Sequence, residues 1–251
     1  MKHIIANWKM NKTKEEALSF VQKLSFFLET NNYNKCSISI APPCVHLPIL
    51  YEPNNSFNLI AQNVSSENFG AYTGEISAAM LKDYVKHVIV GHSERRKFFN
   101  ETNELLYKKI KILLKNNLCP VFCFGESLDA RSKGNYLEFI EKQFENVILL
   151  LSQNEIRNIL LAYEPIWAIG SGSSANESQI NEVHGFVRTL IEKKYGSIYA
   201  KEIPILYGGS CNPDNSYLIL SQPNVDGLLI GGASLSNDHF HRIIQLANSL
   251  G

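Results

Sequence analysis

Along the chain, short β-branched or apolar runs alternate eight times with longer stretches whose apolar residues recur at helical spacing. That alternation predicts an α/β protein, a closed eight-stranded parallel (β/α)8 barrel. Strands are expected at residues 3–7, 37–41, 58–62, 87–91, 119–124, 159–162, 203–207 and 225–230. The first helix opens at Thr13, where Glu16 three residues on forms a capping-box pattern, and runs on an apolar face of Leu18, Val21, Leu24 and Leu28. Further helices are expected at residues 102–116, 136–151 and 236–248, with another capped by Asn176 and carrying Ile180, Val183, Val187, Leu190 and Ile191. No linker, repeat or low-complexity tract interrupts the pattern, so residues 1–251 read as a single barrel domain.

The chemistry concentrates in LLAYEPIWAIGSG, residues 160–172. Glu164 falls just past a buried strand, and Pro165 bars regular helix or ladder pairing beyond it. A stiff Pro165-Ile166-Trp167 segment then meets a glycine- and serine-rich tip, the composition of an apolar flap with a pliable end. From spacing alone, an ordinary loop glutamate facing water is an equal reading of Glu164. In a barrel all carboxyl strand ends meet on one face, which gathers Asn7, Lys9, Gln62, His92, Glu126, Glu164 and the glycine pairs Gly208-Gly209 and Gly231-Gly232. Paired glycines after the last two strands let backbone N–H groups close on an oxyanion, and a phosphate is the natural occupant; plain turn glycines are the alternative. His92 at a helix start is a plausible neutral hydrogen-bond donor, although a lone histidine is more often structural. Lys9 offers a fixed cation or mere surface solubility. The long connection at residues 63–75 carries Phe69 and Tyr72 near its tip and reads as a lid or a partner contact.

The segment YEPIWAIGSG resembles the base-and-lid segment of the triosephosphate isomerase family. NWKMN (7–11), GHSERR (91–96), CFGE (123–126), YGGS (207–210) and GGASL (231–235) resemble that family's motifs in the same order across nearly the whole chain. The resemblance implies the TIM-barrel fold and interconversion of dihydroxyacetone phosphate and D-glyceraldehyde 3-phosphate through an enediolate. It implies that Glu164 moves the proton between C1 and C2, that His92 polarises the carbonyl oxygen, and that Lys9 with Asn7 holds the anionic intermediate. Gly170, Ser210, Gly231 and Gly232 would bind the phosphate, and Tyr207 with Ser210 would latch the closed flap. Glu94 and Cys123 resemble auxiliary site residues. Thr73 would reach the partner's active site in a homodimer. No metal or organic cofactor is implied, since the carbonyl is its own electron sink. The sequence departs from the family's pattern after the flap, where Ser171, Ser173-Ser174-Ala175 and Asn176-Glu177 stand; Asn and Glu still suit a helix start.

Composition narrows the rest. With 24 Lys+Arg against 24 Asp+Glu, the chain has no electrostatic footprint for nucleic acid. The amino-terminal apolar run is too brief for a signal peptide, and no run reaches membrane-spanning length, so a cytoplasmic protein with no membrane partner is expected. Five cysteines without a CxxC pair disfavour a disulfide framework or structural zinc, and buried reduced thiols are expected. Two rivals remain. A sugar-phosphate epimerase barrel would share the glycine pairs but has no need of the flap after Glu164. A non-catalytic phosphate-binding barrel has no need of Lys9, His92 and Glu164 together.

Overall fold

The computed structural model describes residues 1–169 and 174–250. Eight parallel strands close into a barrel in sequence order: β1 (Lys2–Asn7), β2 (Cys36–Ala41), β3 (Asn58–Ala61), β4 (His87–Val90), β5 (Cys119–Phe124), β6 (Leu160–Tyr163), β7 (Ile205–Tyr207) and β8 (Gly227–Ile230). The two-residue pleat explains why these strands read as continuous apolar runs. Ile5, Ile60, Ile89, Val121, Ala162, Leu206 and Leu229 fill the barrel interior. Their neighbours Ile4, Ile38, Val88, Phe122, Leu161, Ile205 and Leu228 point outward under the helices. Closure depends on Gly227, opposite His3 in the β1–β8 register, because a Cβ there would lie 2.0 Å from the His3 carbonyl oxygen.

The long helices form where apolar periodicity and caps agree. Lys14–Glu29 starts at Thr13 with the expected capping box to Glu16. Its buried face is Ala17, Phe20, Leu24 and Leu28, while Leu18 is exposed and Val21 half-buried, a rotation from the expected stripe. Asn103–Lys115, Glu177–Tyr195 and Asn237–Ser249 follow expectation, capped by Thr102, Asn176 and Ser236. The helix expected over 136–151 ends at Glu145; Val147 leaves helical geometry with φ −133°, and a 3-10 turn, Ile148–Leu150, follows. Short helices such as Leu128–Ser132 and Ser197–Glu202 were not expected, since so few turns show no period. The connection after β3 is closed at its base by Ser65 N–H donating to the Ile76 carbonyl at 2.8 Å, leaving Phe69, Tyr72 and Thr73 exposed.

The expectation of buried thiols holds for Cys123 and Cys211 only. Cys36 and Cys119 are half-buried and Cys44 is exposed on the turn after β2. Among the described residues, no helix is long and apolar enough to cross a membrane.

Candidate active site

At the carboxyl end of the barrel, the chain leaving β6 is held between its neighbours. Glu164 N–H donates to the Phe124 carbonyl at 2.7 Å, and the Tyr163 carbonyl accepts from Gly208 N–H at 2.7 Å. This fit requires glycine at 125, where a Cβ would stand 1.9 Å from the Glu164 carbonyl oxygen. The Glu164 side chain is thereby placed, 2% exposed, over the barrel mouth. Its Oε2 accepts from Ser93 N–H at 2.8 Å, and its Oε1 lies 3.2 Å from His92 Nε2.

His92 caps the short helix Ser93–Phe98, its Nδ1 accepting from Glu94 N–H at 3.3 Å. A ring nitrogen that accepts a backbone N–H carries no proton, so this contact places the proton of a neutral imidazole on Nε2, facing Glu164 and the cavity. Cys123 lies beneath, on β5; burial first and the Glu164 carboxylate second push its thiol well up, so it stays protonated.

Lys9 enters from the β1 side in a left-handed conformation, φ 52°, unusual for a residue with a Cβ. The strain is held from both ends: Lys9 N–H donates to Asn7 Oδ1 at 3.0 Å, and Gln62 Nε2 donates to the Lys9 carbonyl at 2.9 Å. The Lys9 ammonium bonds Glu94 Oε1 at 2.7 Å, and its stem passes over Gly231, where a Cβ would come within 3.3 Å of Lys9 Cε.

A cavity of about 370 Å³ joins these groups to the glycine turns. Asn7, Lys9, His92, Glu164, Ser210, Gly231 and Gly232 all line it. Cys123, Glu94 and Tyr207 do not. Tyr207 instead accepts from Ala175 N–H at 3.2 Å, where the described chain resumes beyond the flap tip. Thr73 is remote, on the exposed loop, and Gly170 falls outside the described residues. Asn11, Cys211, Leu229, Ala233 and Leu235 also line the cavity and were not singled out, although Asn11 lies in NWKMN and Leu235 in GGASL.

The flap's base is tied by a buried carboxylate that sequence reasoning left unassigned. Glu126 Oε1 accepts from Trp167 Nε1 at 2.8 Å and from the Tyr163 hydroxyl at 3.0 Å, with Arg131 at 3.5 Å. Burial raises its pKa against those donors. Among the described residues, no cluster of three or more His, Cys, Asp or Glu is placed to hold a metal ion.

A parallel barrel whose mouth sets a buried carboxylate against an imidazole, beside an ammonium and a turn of glycine N–H groups, defines a proton-transfer enzyme for a small anionic substrate. The family model for triosephosphate isomerase matches residues 2–247. Triosephosphate isomerases of Porphyromonas gingivalis (43% identity over 97% of this chain and 98% of the relative), Thermodesulfovibrio yellowstonii (44% over 97% and 98%) and Amoebophilus asiaticus (41% over 98% of each) are similar to it. The chain belongs to the triosephosphate isomerase family, and its activity is that of an isomerase.

Proposed function

We propose that this chain interconverts dihydroxyacetone phosphate and D-glyceraldehyde 3-phosphate with Glu164 as the base. Glu164 takes a proton from C1 of the ketose while His92 Nε2–H donates to the C2 carbonyl oxygen, giving an enediolate. A proton then passes from the C1 hydroxyl to O2 by way of His92 Nε2. Glu164 returns the proton it holds to C2, and the electron pair left on O1 closes the C1 carbonyl, so the aldose carries its hydroxyl at C2. Before the first step its carboxylate exchanges the Ser93 N–H for the substrate carbon, which makes it more basic because a carboxylate loses a donor. Lys9, positioned by Asn7 and Gln62, neutralises the developing oxyanion. Gly231, Gly232 and Ser210 hold the phosphate, joined by Gly170 when the flap closes; closure also keeps water from an intermediate that can eliminate phosphate.

The observation that carries this reading is the 3.2 Å approach of His92 Nε2 to Glu164 Oε1 in the cavity bounded by Gly231 and Gly232. The test is triose phosphate interconversion by the purified chain beside Glu164→Gln. A folded but inactive parent, still binding phosphate, would favour a non-catalytic phosphate-binding barrel.

The working form is a homodimer of single-domain subunits. A second cavity of about 590 Å³ opens beside Lys9, bounded by Met10, Gln62, Glu94, Arg95, Phe98 and Phe99. Met10 is 95% exposed, and Phe98 and Phe99 lie open beside it, an apolar rim suited to receive the Thr73 loop of a second copy. Five unpaired thiols favour a reducing, cytoplasmic location. Neither nucleic acid nor a membrane is a partner in this reading, and no cofactor takes part.

A further inference from the structure

We propose that Lys12 is a positioning residue for phosphate, a second cation set behind the glycine turn that does not itself touch the substrate. Lys12 is the second non-glycine residue of this loop in the left-handed region, φ 74°. Such a backbone is held only where its surroundings over-determine it, and here His46 Nε2 bonds the Lys12 carbonyl at 2.9 Å. The conformation sends the side chain inward. Its Nζ lies 4.5 Å from the Phe20 ring centroid and 5.1 Å from that of Trp8, and donates to the Leu235 carbonyl at 2.9 Å.

Leu235 ends the 3-10 helix Gly232–Leu235, whose first residue lines the catalytic cavity. At a 3-10 rise of about 2 Å per residue, Leu235 lies roughly 6 Å along the axis from Gly232, and the hydrogen bond to its carbonyl sets the Lys12 ammonium beyond that, roughly 10 Å from the N–H groups that would meet the phosphate. The ammonium satisfies the carbonyl that ends this turn, which no residue within the turn can reach, and so fixes it against the neighbouring loop. Lys12 therefore does two things at once. It pins the turn at the register in which Gly231 and Gly232 face the cavity, and it adds positive potential within about one Debye length of the phosphate. Asn11 and Leu235 line both this cavity and the outer groove that holds Lys12, so they form the wall between them.

The inference rests on the phosphate being held at the Gly231-Gly232 turn. The test compares the parent with Lys12→Met, Lys12→Arg and Lys12→Gly by KM, kcat and competitive inhibition by inorganic phosphate. Expected for Lys12→Met is a parallel rise in KM and in the phosphate inhibition constant of about threefold to tenfold, with kcat falling less than about twofold. Lys12→Arg should restore most of the affinity. The Met-to-parent ratio should shrink toward one near 0.5 M salt, as screening removes the charge effect. Lys12→Gly, which relieves the backbone strain, should show the same loss of phosphate affinity without a lower melting temperature. An unchanged phosphate constant in Lys12→Met, or an Arg variant as weak as Met, overturns the proposal. Absence of competitive phosphate inhibition in the parent would instead sink the phosphate-turn reading, and the role of Lys12 with it.

Discussion

At Glu164, position does what residue type cannot. A glutamate on a loop is ordinarily solvated, yet here it is 2% exposed, and its two carboxylate oxygens sit against the Ser93 N–H and His92 Nε2. Replacing it by Gln keeps the shape and removes the base, so kcat should fall by about three orders of magnitude with the melting temperature little changed. Histidines elsewhere carry the opposite burden. His184 is fully buried, its Nδ1 paired with the Asn224 carbonyl at 2.8 Å, and burial lowers its pKa to about 4. His87, half-buried at the start of β4, is likewise lowered to about 4 by burial, and by His3 next. Both are neutral when folded and take up protons more readily when unfolded. Their contribution is complete above the unfolded value near 6.5 and is lost as pH falls toward 4, at most about 3 kcal/mol for His184. Urea unfolding at pH 5 and pH 7 should show the folded state weaker at pH 5, and His184→Asn should flatten that dependence. Residue identities such as Lys9 and His92 were legible from motif and position. The left-handed turn that aims Lys9 was not, because nothing in a lysine forecasts φ 52°.

Among the elements, β6 and the chain packed beside it after β5 decide whether the base is presented. Gly125 allows the chain after β5 to pass against the Glu164 carbonyl, with only 1.9 Å available to a Cβ. Gly125→Ala must therefore push β5 and β6 apart at the mouth. We expect a stability loss of about 1–3 kcal/mol, read by urea unfolding. We also expect a fall in kcat of tenfold or more, since the base moves with the backbone. Past the flap, Asn176 caps Glu177–Tyr195 through a reciprocal pair with Gln179, at 2.9 and 3.0 Å. Asn176→Ala should cost about 1 kcal/mol and lower the melting temperature by about 2–4 °C, measured by thermal scanning. That cap was readable because Asn is a favoured cap and Glu177 suits a first turn, directly before an apolar period. Helices such as Ser197–Glu202 were not readable, being too short to show a face of their own. Tertiary packing alone selects them.

For the whole molecule, closure of the barrel brings together groups as far apart as Lys9 and Gly232 in one cavity. In the proposed homodimer, the exposed Phe69, Tyr72 and Thr73 would meet the apolar rim of Met10, Phe98 and Phe99 on a second copy. Tyr72→Asp would bring a charge to that contact; sedimentation velocity should show the parent as a dimer and the variant shifted toward monomer, with activity falling as it dissociates. Strand number, parallel order, the long helix caps and the convergence of Asn7, His92, Glu164 and Gly231 on one face all follow from local patterning. Alternation, caps and glycine pairs are written in residues a few positions apart. Which way Lys12 turns, that Glu126 anchors Trp167, and that Cys44 is exposed while Cys123 lies under the base depend on contacts between segments far apart in the chain. Those contacts exist only once the barrel has closed, because no local interaction in any one segment is strong enough to select them.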